Sequence, residues 1–251
     1  CFSDLRIVHD VKPDHLVRQA RAVIQSLEEL GTPLDQWELE ILERAILSPS
    51  EPFSVGAIQQ VLDAHVLISL AMSAEGEIKA TQGPAHAHVP VGGWGTFLIK
   101  LDNLGQHVAP FRVESPNAVA AGEGATADRW MRFELRPTET RPSGERVDYF
   151  FLRVQSEQKG KREGMFVFAS SIRSRQEPGP LTYNRVPILF SLMSDAEMTK
   201  AKLVHLLRHQ HQGPYLAVQQ RRGPALGTVR VPTCLGCHDK GEVAQIPAER
   251  L

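Results

Sequence analysis

The run Val147-Asp148-Tyr149-Phe150-Phe151-Leu152 decides the fold class of this chain, because it is short and rich in aromatic and β-branched residues. A cluster of turn-forming residues at 137–144 precedes it. Five more runs have the same character and are separated by similar turn signals: Val66–Leu70, Phe97–Leu101, Trp130–Leu135, Met165–Phe168 and Val186–Phe190. Several short strands spaced by turns are typical of antiparallel sheets packed face to face. We therefore expect an antiparallel β-sandwich domain at residues 65–192.

The residues before this β-rich stretch have the spacing of helices. Two sets of apolar residues recur every three to four positions, as on amphipathic helices: Leu16, Ala20, Ile24 and Leu27, then Leu34, Trp37, Ile41 and Ala45. Thr32-Pro33 predicts the start of the second helix, with Pro at the first helical position. Ser54 predicts the N-cap of a third short helix. Residues 1–64 are therefore predicted to form a helical segment.

The helical pattern returns after the β-rich stretch. Ser194 and Glu197 fit a capping box, and Gly213-Pro214 predicts the end of that helix. An apolar stripe follows the cap: Leu203, Leu206 and Leu207. The remaining residues contain many Gly and Pro and are expected to need a partner to become ordered. The sequence thus predicts an α+β protein with a helical and irregular third segment at 193–251.

Composition excludes several classes of protein. Lys and Arg total 28 against 29 Asp and Glu, so the net charge of −1 provides no general attraction for nucleic acid or an acidic membrane surface. The sequence has no apolar run of the ~18 residues that a transmembrane helix needs. With only three cysteines, Cys1, Cys234 and Cys237, the chain is not a disulfide scaffold.

The segment Cys234-Leu235-Gly236-Cys237-His238 has the spacing of a c-type haem attachment site. Two thiols at this separation add across the two vinyl groups of the porphyrin, and the adjacent histidine then lies under the iron. Covalent attachment suits a segment of little regular structure, because the haem becomes the core around which the segment folds. We expect one haem c, bound covalently by Cys234 and Cys237, with His238 as the proximal axial ligand and no catalytic residue.

Two other interpretations of the cysteine pair remain open. His205 and His209 are spaced H-x3-H and could complete a tetrahedral zinc site with Cys234 and Cys237, although this leaves His238 without a role. A redox-active dithiol is the second alternative, but it is expected beside a βαβ pattern that this sequence lacks.

We expect the distal iron ligand on the helix that begins after Ser194. Met198, Ala201, His205 and His209 fall on one face of that helix at i, i+3, i+7 and i+11. His209 is the first candidate for the distal ligand and metal contact, and His205 and Met198 follow it. Further candidates are His211, Met193, His86 and His88, and an open sixth position is the remaining alternative.

A first residue of cysteine resembles the mature form of bacterial lipoproteins, in which Cys1 would carry a lipid anchor. Haem c is attached outside the cytoplasm, so both features predict an extracytoplasmic protein of the periplasm or cell surface. Such a protein is anchored to a membrane and does not span it. The alternative is that the numbered chain simply begins at an arbitrary point.

Two resemblances add to this interpretation. The segments 92–103 (GGWGTFLIKLDN) and 109–118 (APFRVESPNA) resemble a module of uncharacterised exported bacterial proteins. The resemblance covers residues 58–192 and implies a β-rich extracytoplasmic domain without catalytic residues. The Cys-x-x-Cys-His resembles that of cytochromes c, and its C-terminal position is closer to cytochromes c-prime and the β-sheet cytochrome P460 group. Ordinary small cytochromes c carry it near the N-terminus with a methionine following.

Together these features predict an extracytoplasmic monohaem c-type cytochrome that serves in electron transfer or as a subunit of a redox complex. Its expected partner is a redox protein or a larger membrane-associated complex, and nucleic acid is not expected. One alternative is a haem enzyme or gas binder with five-coordinate iron. The other is a structural or adhesive β-sandwich module in which haem staples the C-terminal segment.

Overall fold

The computed structural model of the chain describes residues 5–120, 122–136, 141–170 and 183–209. In this part the chain forms three helices, then nine strands, then a fourth helix. The helices are α1 (Pro13–Glu29), α2 (Gln36–Ile46), α3 (Glu51–Asp63) and α4 (Asp195–His209). The strands are β1 (Val66–Met72), β2 (Ile78–Gln82), β3 (His88–Pro90), β4 (Trp94–Asn103), β5 (Phe111–Glu114), β6 (Arg132–Arg136), β7 (Val147–Gln155), β8 (Gly160–Ser170) and β9 (Tyr183–Met193). The predicted α+β class is confirmed.

The strands form two sheets. The first has the order β2-β1-β4-β7-β6 and the second the order β3-β9-β8-β5. Most neighbours are antiparallel, as predicted, but β1 pairs with β4 and β3 pairs with β9 in parallel. The expectation of purely antiparallel sheets is therefore wrong at these two pairs. Each parallel pair joins strands that are not consecutive in the chain, so no hairpin turn could reveal it in the sequence.

The two sheets share one apolar core rich in aromatic rings. Phe97 of β4 meets Phe190 of β9 with ring centroids 6.4 Å apart, and Phe111 of β5 meets Phe150 of β7 at 5.3 Å. Trp130 packs edge-on against Phe190 at 5.7 Å. Each of these pairs is inclined by more than sixty degrees, the edge-to-face arrangement that favours contact between the ring quadrupoles.

The two sheets differ in how their outer faces are covered. Strand β9 alternates between core and solvent in the period of two expected for a half-buried strand, and its inward residues are Val186, Ile188, Phe190 and Leu192. Strand β4 is buried on both faces. Phe97, Ile99 and Leu101 enter the core between the sheets, while Leu98 and Lys100 are buried on the opposite face.

The N-terminal helices account for this second buried face. Helix α1 contacts β7, and α3 contacts β4. Helix α1 turns one apolar stripe inward, and the prediction is confirmed for Leu16, Ala20 and Leu27. It is wrong at Ile24, which is half-buried, while the neighbouring Val23 is buried. The first segment of the chain therefore forms a layer on the first sheet.

Two of the predicted helix starts are wrong. Helix α2 begins at Gln36, with Asp35 as N-cap, because the Glu38 carboxylate accepts the Asp35 backbone N–H at 3.0 Å. Helix α3 begins at Glu51 with Ser50 as N-cap, so Ser54 lies inside it. The predicted cap of α4 is confirmed, since the Ser194 backbone N–H and hydroxyl both donate to Glu197 at 2.8 and 2.7 Å.

Three strands were not predicted, and all three lie at sheet edges: β2, β3 and β5. They have five, three and four residues. An edge strand of this length buries few side chains, so its sequence has little of the alternation that marks longer strands.

The chain divides into two units, Cys1–Lys202 and Leu203–Leu251. The second unit is described only in its first residues, 203–209, which belong to α4. The boundaries predicted after residues 64 and 192 stay predictions. Over the described ranges, the helices are too short or too polar to cross a lipid bilayer.

Gly83 and Gly56 form a matched test of the packing. The Gly83 N–H donates to Leu67 O at 2.8 Å, and a Cβ at position 83 would collide with the backbone carbonyl oxygen of Val66. We predict that Gly83→Ala lowers the free energy of unfolding by about 1–3 kcal/mol, as overpacking does.

In the control, Gly56→Ala places a Cβ in open space on helix α3 and should raise the free energy of unfolding by about 1 kcal/mol. Urea unfolding measures both effects. If Gly83→Ala is as stable as the unmodified chain, the backbone at Gly83 does not approach the Val66 carbonyl as closely as described.

Candidate functional site

The predicted haem-attachment residues Cys234, Cys237 and His238 lie outside the described residues, and so does Cys1. Helix α4 includes positions 198, 205 and 209, as the sequence predicted. Met198 is half-buried, whereas the side chains at 205 and 209 are outside the description. The haem site and its distal ligand therefore stay predictions. In the described ranges, no group of three or more His, Cys, Asp or Glu side chains could hold a metal ion.

A buried ionic cluster lies between helix α3 and the first sheet. Lys100 of β4 and Tyr149 of β7 are directly opposite in the antiparallel register, and both side chains turn toward the helices. Asp63, the last residue of α3, lies above them. Its carboxylate accepts the Lys100 ammonium at 2.6 Å and the Tyr149 hydroxyl at 2.8 Å.

Gln59, one turn before Asp63, connects this cluster to the start of the chain. The Lys100 ammonium also donates to Gln59 Oε1 at 3.1 Å and to the backbone oxygen of Arg6 at 3.3 Å. The Gln59 amide pairs with the backbone of Val8 in both directions, at 2.7 and 3.0 Å. All three ammonium protons of Lys100 thus have an acceptor.

Burial determines the electrostatics of this cluster. The side chains of Lys100 and Asp63 are 3% and 0% exposed. Burial raises the pKa of Asp63, and the nearby Lys100 ammonium opposes that shift. Burial and then the Asp63 carboxylate raise the pKa of Tyr149 well above its usual value, so its hydroxyl stays protonated and donates. The cluster is a fully engaged structural network.

His15, Asp148 and Ser143 meet in a second cluster whose residue types are those of a catalytic triad. His15 Nε2 lies 3.2 Å from Asp148 Oδ1 and 3.5 Å from Ser143 Oγ. The Ser143 hydroxyl donates to the same Asp148 oxygen at 2.7 Å. In a triad the imidazole lies between acid and nucleophile and uses one nitrogen for each. Here the same nitrogen of His15, Nε2, faces both Asp148 and Ser143, so this arrangement does not activate the serine. The cluster instead joins α1 to β7 and the loop before it.

His65 and Glu38 form a third pair, 2.9 Å apart, between α2 and the start of β1. Burial lowers the pKa of His65, but the hydrogen bond and charge of Glu38, together with the charge of Asp35, outweigh it, so the net pKa is raised. The imidazolium is thereby favoured, and the pair holds α2 against the sheet.

A cavity of about 340 Å³ lies between α1 and the edge of the first sheet. Most of its lining is apolar, and the residues are Gln19, Ala22, Val23, Ser26, Arg136, Tyr149 and Phe151. Its charged side chain, Arg136, already contacts Glu134 at 3.3 Å. The Tyr149 hydroxyl is bonded to Asp63, so both ionisable side chains of the described lining already have partners.

His86 and His88 are brought together at the edge of the second sheet. Their imidazole rings are stacked, with centroids 5.5 Å apart and planes inclined by 14°. Partial burial, and then the charge of His86, lower the pKa of His88, so the neutral ring is favoured near neutral pH. Sequence reasoning named both residues as candidates for the distal ligand but missed their pairing, for which the H-x-H spacing was the available signal.

Comparison with known proteins identifies no family. No protein-family model and no curated protein matches the chain. Among solved structures, the chain is similar to the ASH / PapD-like domain of human CEP192 (PapD-like domain 7), at 10% sequence identity. The match covers 43% of this chain and 82% of that domain with a TM-score of 0.30, which supports no inference about function.

The cluster around Lys100 predicts a large effect of breaking one ion pair. Lys100→Met leaves the Asp63 carboxylate buried without its cation and should lower the free energy of unfolding by about 3–5 kcal/mol. The double variant Lys100→Met/Asp63→Asn should be more stable than Lys100→Met alone, because no unpaired charge remains. Both are measured by urea unfolding.

Lys12→Met is the matched control. Lys12 pairs with Glu145 at 2.8 Å, but its side chain is 74% exposed, so its loss should cost less than about 1 kcal/mol. Equal effects of Lys12→Met and Lys100→Met would refute a special role for the buried pair.

Proposed function

We propose that the protein is an extracytoplasmic monohaem c-type cytochrome that transfers electrons, alone or as a subunit of a redox complex. One observation carries the proposal, the five-residue segment Cys234-Leu235-Gly236-Cys237-His238. Its donor set is two thiols at the separation of the porphyrin vinyl groups, with an imidazole at the next position.

The donor set fits haem c better than zinc. A zinc site built from Cys234, Cys237, His205 and His209 would leave His238 without a role, although it directly follows the second cysteine. In the haem interpretation each of the three residues in the motif has a function. The thiols hold the macrocycle covalently, and His238 is the proximal axial ligand.

Bound haem would supply a site that gains and loses one electron reversibly. The residues of the chain would set its potential through the axial ligands and through burial, and axial ligands alone shift haem potentials over roughly 0.8 V. His209 is the proposed distal ligand, because α4 extends to it and about 24 residues separate it from Cys234, enough chain to fold back onto that helix.

The described part of the chain supports a scaffold role. The titratable groups of two buried polar clusters, around Asp63 and around Asp148, bond to one another and to backbone atoms. Such engaged groups stabilise a fold and leave the proposed chemistry to a cofactor. With a net charge of −1, recognition of a redox partner would depend on local charge patterns.

The first test is covalent haem. The chain is exported behind a general secretory signal peptide in a host that matures cytochromes c, and a denaturing gel is stained for haem peroxidase activity. We predict a stained band that Cys234→Ala/Cys237→Ala abolishes, because no thioether can form, and that the control Cys1→Ala retains. Stoichiometric zinc without a Soret band would contradict the proposal.

The second test concerns the distal ligand. With imidazole on both sides of the iron, the oxidised haem should be low-spin. We predict that His209→Ala becomes high-spin and binds carbon monoxide when reduced. The control His205→Ala should keep the original spectrum, because two residues one turn apart cannot both reach one iron from the same side. A high-spin unmodified protein would instead indicate an open site, as in a haem enzyme or gas binder.

A further inference from the structure

His86 and His88 form a surface pair of imidazoles to which the proposed cytochrome function gives no role. His86 is exposed and His88 is half-buried, so water and ions reach the pair from the outer side. Their rings face each other at a centroid distance of 5.5 Å with nearly parallel planes. Imidazole is a ligand for divalent transition metals, and two imidazoles this close together can bind the same ion once their nitrogens turn toward it.

The backbone holds both residues in place. The His88 N–H donates to the His86 carbonyl oxygen at 2.7 Å, which closes a tight three-residue turn around Ala87. Ala87 is buried, and its carbonyl oxygen accepts the Ser191 N–H of β9 at 2.9 Å. His88 itself pairs with Ser191 in the parallel register of β3 and β9. The backbone therefore holds the two residues close together before any ion arrives.

The ring spacing matches that of two imidazoles on one metal ion. Metal–nitrogen bonds of about 2.0–2.1 Å place each ring centre about 3.2 Å from the ion, so a tetrahedral angle separates the centres by about 5 Å. The observed distance is 5.5 Å, but nearly parallel stacked rings do not direct their in-plane lone pairs at one point. The exposed His86 ring therefore has to turn about its side-chain bonds before both nitrogens face one ion. Imidazole suits Zn²⁺, Cu²⁺ and Ni²⁺, and Cu²⁺ forms the most stable complexes of the divalent first-row series.

We propose that His86 and His88 chelate one divalent transition-metal ion at the β3 edge, with Cu²⁺ bound most tightly. The remaining coordination positions are taken by water, since the pair lies at the surface. This site is distinct in sequence from the cysteine motif and does not depend on whether haem is attached there.

The test is a titration of Cu²⁺, and separately of Zn²⁺, near neutral pH into the full chain as purified, after a chelator has removed exchangeable metal. The unmodified chain should bind one ion more than His86→Ala and one more than His88→Ala. The chain has ten histidines, so a difference between variants is the measurement. His9→Ala is the matched control, because it removes an exposed histidine outside the pair and should leave the stoichiometry unchanged.

The double variant separates chelation from two independent contacts. If both rings bind one ion, His86→Ala/His88→Ala loses no more Cu²⁺ than either single variant. The Cu²⁺ electron paramagnetic resonance spectrum should also lose nitrogen hyperfine structure in all three variants. Added Cu²⁺ should raise the melting temperature of the unmodified chain more than that of His88→Ala, since the ion binds the folded state.

Two outcomes would overturn the inference. In the first, the single variants retain the full stoichiometry and the full metal-induced rise in melting temperature. In the second, each single variant loses part of the binding and the double variant loses the sum. His86→Ala removes an exposed ring, so its melting temperature without metal should equal that of the unmodified chain and show that the fold is intact.

Discussion

The ion pair between Lys100 and Asp63 is the interaction on which the packing of helix α3 against the first sheet depends. Both side chains are almost completely buried, at 3% and 0% exposure, so neither charge can be solvated by water. Each is stable in the interior only while the other is 2.6 Å away. Because Tyr149, Gln59 and the backbone of Arg6 complete the hydrogen bonding, this single pair ties β4, β7, α3 and the start of the chain together.

This constraint also explains the burial of the strands. Once the helices lie over the first sheet, the covered parts of β4 and β7 have no solvent-facing side. Lys100 and Tyr149 are tolerated there because Asp63 of α3 bonds to both of them. The second sheet faces the aromatic core with one side, and β9 shows the alternation of a half-buried strand. At the edge of the second sheet, the short strand β3 exposes part of a titratable side chain, that of His88.

The two proposals, the cytochrome and the histidine metal site, are supported by different kinds of observation. The proposed haem site is a local motif of five consecutive residues, so spacing alone was enough to predict it. The distal ligand could not be derived in the same way, because an axial ligand is selected by the folded geometry around the iron. The proposed metal site joins residues two positions apart in the sequence. Its backbone conformation nevertheless depends on a distant residue, because Ser191 bonds to Ala87 in the turn between the two histidines.

The sequence by itself determined the α+β class, six of the nine strands in the described part, the cap of α4 and the cysteine motif, because each is encoded in a few neighbouring residues. It misplaced the starts of α2 and α3, where neighbouring polar residues offered competing caps. Only the tertiary structure decided the parallel pairs, the edge strands and the clusters around Asp63 and Asp148. The contacts of Lys100 with Asp63 and of His15 with Asp148 span 37 and 133 residues of chain. No local pattern encodes such contacts, since they form only when burial brings charges together and leaves them no other partner.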